Sequence, residues 1–410
     1  MDFALFPHHI AELASIEASD DDLTAKLASH VADYSPVVVR GGVAADTLAR
    51  RLAAVEGASD QAEVLTPLVD DTPLSFTLLG ASQGGDMGLG EDLRPNFRSD
   101  DRTTSARDFM RYAARLATNR TGECAYAASI PIQRFPALGQ LIDPREEIGG
   151  RPLWHRQLWA GSGGHTVDLH HDRLLNFIAQ YAGRKRVTLF PPDALPHLYP
   201  APLHRTVGGV PRSLVKVLRV DAERYPRFES ALESARVVTL EPGDELYIPP
   251  LWWHHVESAG FNLMVNSWYL DTAANTEDQL TAAEFALRRG IARTHSLKVT
   301  DELATRVGAA LENGHAHETL PTPLPPKILA ALDELTNATA ALPAHWQRWY
   351  ALQARYYILK EFGDPYPTLP GALREVARHI RFARPIGWLR AIVAFPGRVL
   401  RFLRRRLGSA

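Results

Sequence analysis

A mainly β core with α-helical appendages is the fold class this sequence predicts, and three observations predict it. Between residues 126 and 269, short β-branched and aromatic runs alternate with Gly and Pro, the pattern of an antiparallel sandwich or barrel. After Asp271 the chain becomes Leu- and Ala-rich, in helix-length runs separated by Pro or Gly. At 410 residues it exceeds one typical domain, so appendages around a core are expected. The boundaries drawn are an N-terminal α/β extension over 1–119, a β core over 120–270, a helical region over 271–370 and a basic amphipathic tail over 371–410.

Residues 1–35 read as short helices, one of them starting at Asp21-Asp22-Leu23, where acids meet the positive end of a helix. The run PVVVRGG over 36–42 is β-branched and closed by a Gly pair, a strand signature. Residues 44–58 read as one amphipathic helix, and two strands are expected between 63 and 80. The stretch 80–101 carries Gly84, Gly85, Gly88 and Gly90 but lacks the strand–turn–helix context of a phosphate loop. It is expected to be a mobile loop, and a lid over the active site. Residues 105–119 form a helix with Ser105 as N-cap. Strands follow near Tyr126, Leu158, Val167, Phe177, Val187, Val238, Leu246 and Leu263. Residues 200–234 interrupt them as an insertion. Its Arg205, Arg212, Lys216 and Arg219 read as a solvated charged face, with a substrate wall as the alternative. Helices are expected over 276–292, 299–312, 326–341 and 346–362.

Two stretches concentrate residues with metal chemistry. One, 167–192, reads VDLHHDRLLNFIAQYAGRKRVTLFPP; the other, 240–269, reads LEPGDELYIPPLWWHHVESAGFNLMVNSWY. Side chains alternate faces along a strand, so His170 and Asp172 can face one metal together while His171 points away. The same alternation makes His254 and His255 exclusive, and parity alone leaves open which of them enters the site. Two His and a carboxylate that leave metal positions free form the facial triad of non-haem Fe(II) oxygenases. Any one of these His by itself would more simply be a core or surface residue; the joint pattern points to a metal. Trp252 and Trp253 read as packing around the second His.

These blocks resemble the cupin-like JmjC hydroxylases that use Fe(II) and 2-oxoglutarate, and in pattern the branch that hydroxylates asparagine in hypoxia-inducible factor. The shared elements, in order, are the His-x-Asp motif, Asn176 four residues after the Asp, and Lys185 after the Gly183 turn. Pro242-Gly243-Asp244, the YIPP-x-WWHH run and the VN-x-W strand follow. The resemblance covers about residues 120–270. It implies a double-stranded β-helix (jelly roll, cupin), with His170, Asp172 and His254 as iron ligands, the last being the first His of WWHH. It implies Lys185 as the cation for the distal carboxylate of 2-oxoglutarate, Asn176 and Asn266 as amides beside cosubstrate and metal, and Tyr126 as a further hydroxyl on that carboxylate. A buried dicarboxylate tail needs such a compensating cation. One position departs from the pattern: a Thr expected three residues before the first ligand His is Val167, with Thr166 one residue earlier and expected on the other face. Fewer hydrogen bonds to the cosubstrate, or Ser129 in place of the Thr, are the expectations. The reaction implied is oxidation of a substrate coupled to decarboxylation of 2-oxoglutarate, giving succinate and carbon dioxide.

Composition bounds the rest. Cys124 is the only cysteine, which excludes an internal disulfide framework and a Cys-based zinc site. The N-terminal residues show no basic segment followed by an apolar one, and no apolar run reaches membrane-spanning length; a cytoplasmic protein is expected. The net charge of -2 hides an asymmetry, because residues 371–410 carry ten Arg against Glu375 alone. Such a tail either docks its apolar face or binds an anionic partner. The resemblance adds a homodimer through the C-terminal helices. Three functions compete: a hydroxylase of a protein or peptide side chain or amino-acid-like substrate, a JmjC-type demethylase or nucleic-acid hydroxylase, and a non-catalytic cupin-like binding module. The complete ligand set with Lys185 favours an enzyme over the last.

Overall fold

The computed structural model describes residues 3, 9–90, 96, 102–119, 121–143, 145–172, 174–201 and 210–270. The expected C-terminal helices, the basic tail and Arg205 lie outside them.

Two long strands build the fold. β10 (Leu175–Phe190) and β13 (Trp253–Tyr269) pair antiparallel along their whole length, from Leu175 opposite Tyr269 to Phe190 opposite Trp253. Their register shifts on both sides of Ala182, and such bulges bend a strand and increase its twist. Each half therefore meets different neighbours. The first half of β10 pairs with β12 (Glu245–Ile248) and its second half with β11 (Arg236–Leu240). β13 pairs with β9 (Thr166–His171) at its start and β8 (Arg151–Gly161) at its end, and β8 also carries the short β7 (Glu147–Ile148).

The result is two sheets sharing one bent pair. The larger runs β2 (Ser15–Glu17), β3 (Val37–Arg40), β12, β10, β13, β8, β6 (Cys124–Pro131), β4 (Pro73–Leu79), β5 (Arg102–Ser105). The smaller runs β1 (Ala11–Glu12), β11, β10, β13, β9. Ile178, Val187, Leu189, Leu246, Val256 and Met264 fill the space between them. This is the jelly-roll form of a β core. On the outer face of the larger sheet, α2 (Thr47–Ala53), α3 (Gly57–Val69) and α4 (Ala106–Thr118) bury Leu48, Leu65, Phe109 and Met110 against Ala127, Leu158 and Leu263. Ser105 caps α4, its Oγ accepting from the Asp108 N–H at 3.1 Å.

Four expectations need correction. The strands expected near Phe177 and Val187 are one strand, because Gly183, at φ 68°, lets the chain bulge instead of turning back. Among the described residues of 1–35 only α1 (Leu23–Ala32) is an α-helix; β1 and β2 precede it as short parallel additions to β11 and β3. The helix expected over 44–58 is two, α2 and α3. A single strand, β4, lies between 63 and 80, because residues 63–69 continue α3. Its buried residues, Ala62, Leu65, Thr66 and Val69, follow a helical period despite the β-branched composition. Gly183→Ala is expected to destabilise the protein by about 2 kcal/mol or more. A Cβ there would meet the Phe261 carbonyl and the Asn262 amide, and the loss would show in urea unfolding.

Candidate metal and cosubstrate site

Strand register assigns the inward-facing side chains, since residues directly opposite one another on paired strands share a face. His254 lies opposite His170 on β9 and Leu189 on β10. Two residues on, Val256 lies opposite Val167 and Val187. The spacing on β9 is three residues because of a bulge: Asp168 and Leu169 together face His255. Two residues further along β13, Ser258 lies opposite Lys185, and its N–H donates to the His165 carbonyl at 3.0 Å. The inner wall of the smaller sheet thus carries a metal-ligating row, a valine row and a polar row of His165, Ser258 and Lys185.

In the first row His170, Asp172 and His254 converge, each offering a ligand atom within 4.8 Å of the others. His254 Nε2 lies 3.5 Å from Asp172 Oδ2. His170 Nδ1 donates to the Asp168 carbonyl at 2.7 Å, and His254 Nδ1 to the Trp252 carbonyl at 3.0 Å. A carbonyl can only accept, so each ring carries a proton on Nδ1 and turns Nε2 toward the site, the orientation of metal-bound imidazoles. Burial first, then the His254 ring and the Arg212 guanidinium, push His170 well below the usual imidazole value, which keeps it neutral. Two imidazoles and a carboxylate fit Fe(II). His171 turns away: it is buried edge-on against Trp253, 4.9 Å between ring centres. His255 also faces outward, opposite Thr188.

In the polar row Lys185 is 1% exposed and donates to Ser258 Oγ at 2.8 Å. No carboxylate among the described residues forms an ion pair with it, and burial pushes its pKa down to about 7. Its Nζ lies 5.9 Å from the Tyr126 ring centre. Burial also holds the Tyr126 phenol well above its usual value. Asn266 Nδ2 donates to Asn176 Oδ1 at 2.8 Å, both side chains being buried. The Asn266 Oδ1, the Trp159 Nε1 and both ring nitrogens of His165 are buried with no hydrogen-bond partner of normal geometry. Orphaned polar atoms are costly, and the His165 ring, stacked on Tyr126, feels the charge of this buried cation that has no carboxylate. That donor set fits a small dicarboxylate such as 2-oxoglutarate.

Ser129 does not replace the missing Thr, and Thr166 is on the other face, as expected. Ser129 is exposed at φ 55°, in the bulge between Ala127 and Ile130. Thr166 lies opposite Glu257 on the outer face. Sequence reasoning missed Ser258, His165 and Trp159. For Ser258 a signal existed, because it has the parity of His254 along a regular strand.

The insertion is not a solvated face where it is described. The Arg212 guanidinium, 14% exposed, pairs with buried Asp168 at 3.2 Å, and Lys216 pairs with Asp86 at 2.9 Å. Lys216 and Arg219 help line a cavity of about 600 Å³ with Gln83, Asp168 and His255. The outward-facing His255 places it on the far side of the smaller sheet from the triad. The described part of the stretch 80–101 is bound to β9: the Met87 N–H donates to the Thr166 carbonyl at 3.0 Å, and the Thr166 N–H to the Gly85 carbonyl at 2.9 Å.

A double-stranded β-helix carrying a two-His, one-carboxylate triad defines the class of cupin-type oxygenases. A family model described as a cupin-like domain matches residues 24–275, more than half of the chain, and the chain belongs to this cupin-like JmjC family. Its members are typically Fe(II)- and 2-oxoglutarate-dependent oxygenases. The chain is similar to human HSPB1-associated protein 1, 38% identical over 142 residues, 34% of this chain and 28% of the relative. It is similar to the Arabidopsis thaliana lysine-specific demethylase JMJ30, 28% identical over 202 residues, 47% of this chain and 45% of the relative. A third relative is the Gallus gallus tRNA wybutosine-synthesizing protein 5, 30% identical over 147 residues, 36% and 43% of the two chains. The chain thus spans less than half the length of these relatives. Among the described residues no helix is long and apolar enough to cross a membrane.

Proposed function

We propose that this chain is an Fe(II)- and 2-oxoglutarate-dependent dioxygenase that hydroxylates a side chain of a protein or peptide, or an amino-acid-like substrate. The observation that carries the reading is the alignment, on one inner wall, of the triad and the buried, carboxylate-free Lys185. The first would take Fe(II) and the second the distal carboxylate of 2-oxoglutarate, with Asn176, Asn266 and Tyr126 beside them. The bound iron would supply activation of dioxygen, coupled to decarboxylation of the cosubstrate. One oxygen atom enters the substrate C–H bond and the other enters succinate as carbon dioxide leaves.

The chain's own residues orient and insulate. The carbonyls of Asp168 and Trp252 fix the two imidazoles, the Val167–Val256–Val187 row keeps water from the space between the polar ends, and Lys185 with Ser258 anchors one end. A protein-directed reaction is supported by two relatives, one named for association with another protein and one named a lysine-specific demethylase. The cytoplasm is the proposed setting, in keeping with a single, buried cysteine.

The test is succinate release from 2-oxoglutarate by the Fe(II)-loaded protein, screened over peptide, amino-acid and oligonucleotide substrates. Stimulation by a peptide or amino acid with a 16 Da mass gain (one oxygen atom) is expected. Stimulation by an oligonucleotide alone, or loss of a methyl group from a lysine peptide, would overturn the hydroxylase assignment.

A further inference from the structure

The polar row holds one residue whose ring makes no hydrogen bond of normal geometry inside the protein, its one backbone contact being a weak one to Gly163. His165 is fully buried, and neither ring nitrogen has a partner of normal geometry. Its ring sits 4.1 Å from that of Tyr126, centre to centre. Its carbonyl accepts from the Ser258 N–H, and the hydroxyl of the same Ser258 accepts from Lys185 Nζ. His165, Ser258 and Lys185 therefore lie side by side across three neighbouring chain segments, facing inward. The residue two positions on, Val167, also faces inward and offers no hydrogen bond. Polar capacity on this wall is thus withdrawn at 167 and present, unused, at 165.

A buried imidazole with at best a poorly formed contact to the Gly163 backbone is a poor core residue, since a polar group without a good partner forfeits its hydration without a replacement. Phe would fill the same space without that penalty. Burial, reinforced by the Lys185 charge, pushes the ring down to about 3, so it is neutral and holds one N–H donor and one acceptor. Beside a cation that lacks a carboxylate, one carboxylate can accept from both the ammonium and the ring N–H.

We propose that His165 is a cosubstrate-binding residue, donating a ring N–H to the distal carboxylate of the dicarboxylic cosubstrate and sharing that carboxylate with Lys185. The inference rests on the proposed 2-oxoglutarate site. It makes His165 the selector for a dicarboxylate over a 2-oxo acid that ends in a methyl group.

The test measures dissociation constants by calorimetry on the full chain loaded with Mn(II), which needs no turnover. The probes are 2-oxoglutarate and 2-oxobutyrate, which share the metal-binding end and differ at the distal carboxylate. His165→Ala is expected to weaken 2-oxoglutarate about ten- to a hundred-fold, the range for one charge-assisted hydrogen bond, and to leave 2-oxobutyrate within about two-fold. His165→Asn, which keeps a donor, should lose less, and Val167→Thr placed in the His165→Ala chain should recover part of the loss. Equal weakening of both probes would show a merely structural role and overturn the proposal, as would unchanged 2-oxoglutarate binding. Should His165→Ala fail to fold, the comparison is made with His165→Asn and His165→Phe, of which only the second should lose the preference for the dicarboxylate. Lys185→Met separates the two levels: if it weakens 2-oxoglutarate while His165 variants do not, His165 is wrong alone, and if neither matters, the cosubstrate site itself is misassigned.

Discussion

His170→Ala, Asp172→Ala and His254→Ala are each expected to remove stoichiometric Fe(II) and all turnover, while His171→Ala keeps the metal. The triad comprises three side chains brought within 4.8 Å by β9, the residue just past it, and β13. Replacing the residues that merely orient metal ligands typically costs ten- to a hundred-fold in affinity, so loss of a ligand itself should cost at least about a hundred-fold. His171 belongs to a different environment, packed on Trp253 among the apolar side chains outside the smaller sheet. Its truncation should lower stability by about 2–4 kcal/mol through the space left behind, visible as a reduced thermal midpoint with iron content unchanged. Metal analysis after anaerobic Fe(II) loading reads both effects. If His171→Ala emptied the site and His170→Ala did not, the register of β9 assigned here would be wrong.

That register also marks what could be read from the sequence. Alternation placed His170 and Asp172 on one face and set His171 apart, because it acts over a single strand step. It failed further along β9, where the bulge at Asp168 and Leu169 flips the parity. Counting back five from His170 puts His165 on the wrong face, so no strand-by-strand reading could have placed it beside Lys185. Ser258 was within reach, since β13 stays regular from His254 to Ser258. The same limit applies to the fold. The β core was visible in the density of β-branched and aromatic runs, but β1 and β2 were not. They are two- and three-residue strands, and β1 finds its partner more than two hundred residues away at Arg236 and Val237. No local pattern encodes such a pairing. Arg212 and Lys216 looked solvated for a similar reason, since their partners Asp168 and Asp86 lie on segments distant in sequence.

Lys185→Met is expected to abolish tight 2-oxoglutarate binding and yet make the cosubstrate-free protein more stable. Both outcomes follow from one fact, that the ammonium is buried with Ser258 Oγ as its only hydrogen-bond acceptor among the described residues and no carboxylate. Truncating one partner of a buried, hydrogen-bonded charge pair costs about 2–5 kcal/mol, or roughly thirty- to several-thousand-fold in affinity. Without the cosubstrate the same charge is a burden, and an apolar side chain of similar length removes it. The pH dependence has a definite sign. Burial lowers the folded-state value to about 7 from the ordinary 10.5, so between these values the unfolded chain holds a proton that the folded chain has released. Wild-type stability should therefore rise with pH across that window relative to Lys185→Met. The variant's advantage in thermal midpoint should be largest below pH 7 and shrink toward pH 10. Saturating 2-oxoglutarate should reverse the order at pH 7.5, raising the wild-type midpoint and leaving the variant's unchanged. At pH 8, where the free lysine is mostly neutral, a bound carboxylate restores its proton, so the calorimetric binding enthalpy should vary with buffer ionisation enthalpy as for uptake of close to one proton. A Lys185→Met protein that bound 2-oxoglutarate with wild-type affinity and the same proton uptake would place the distal carboxylate elsewhere and remove Lys185 from the site.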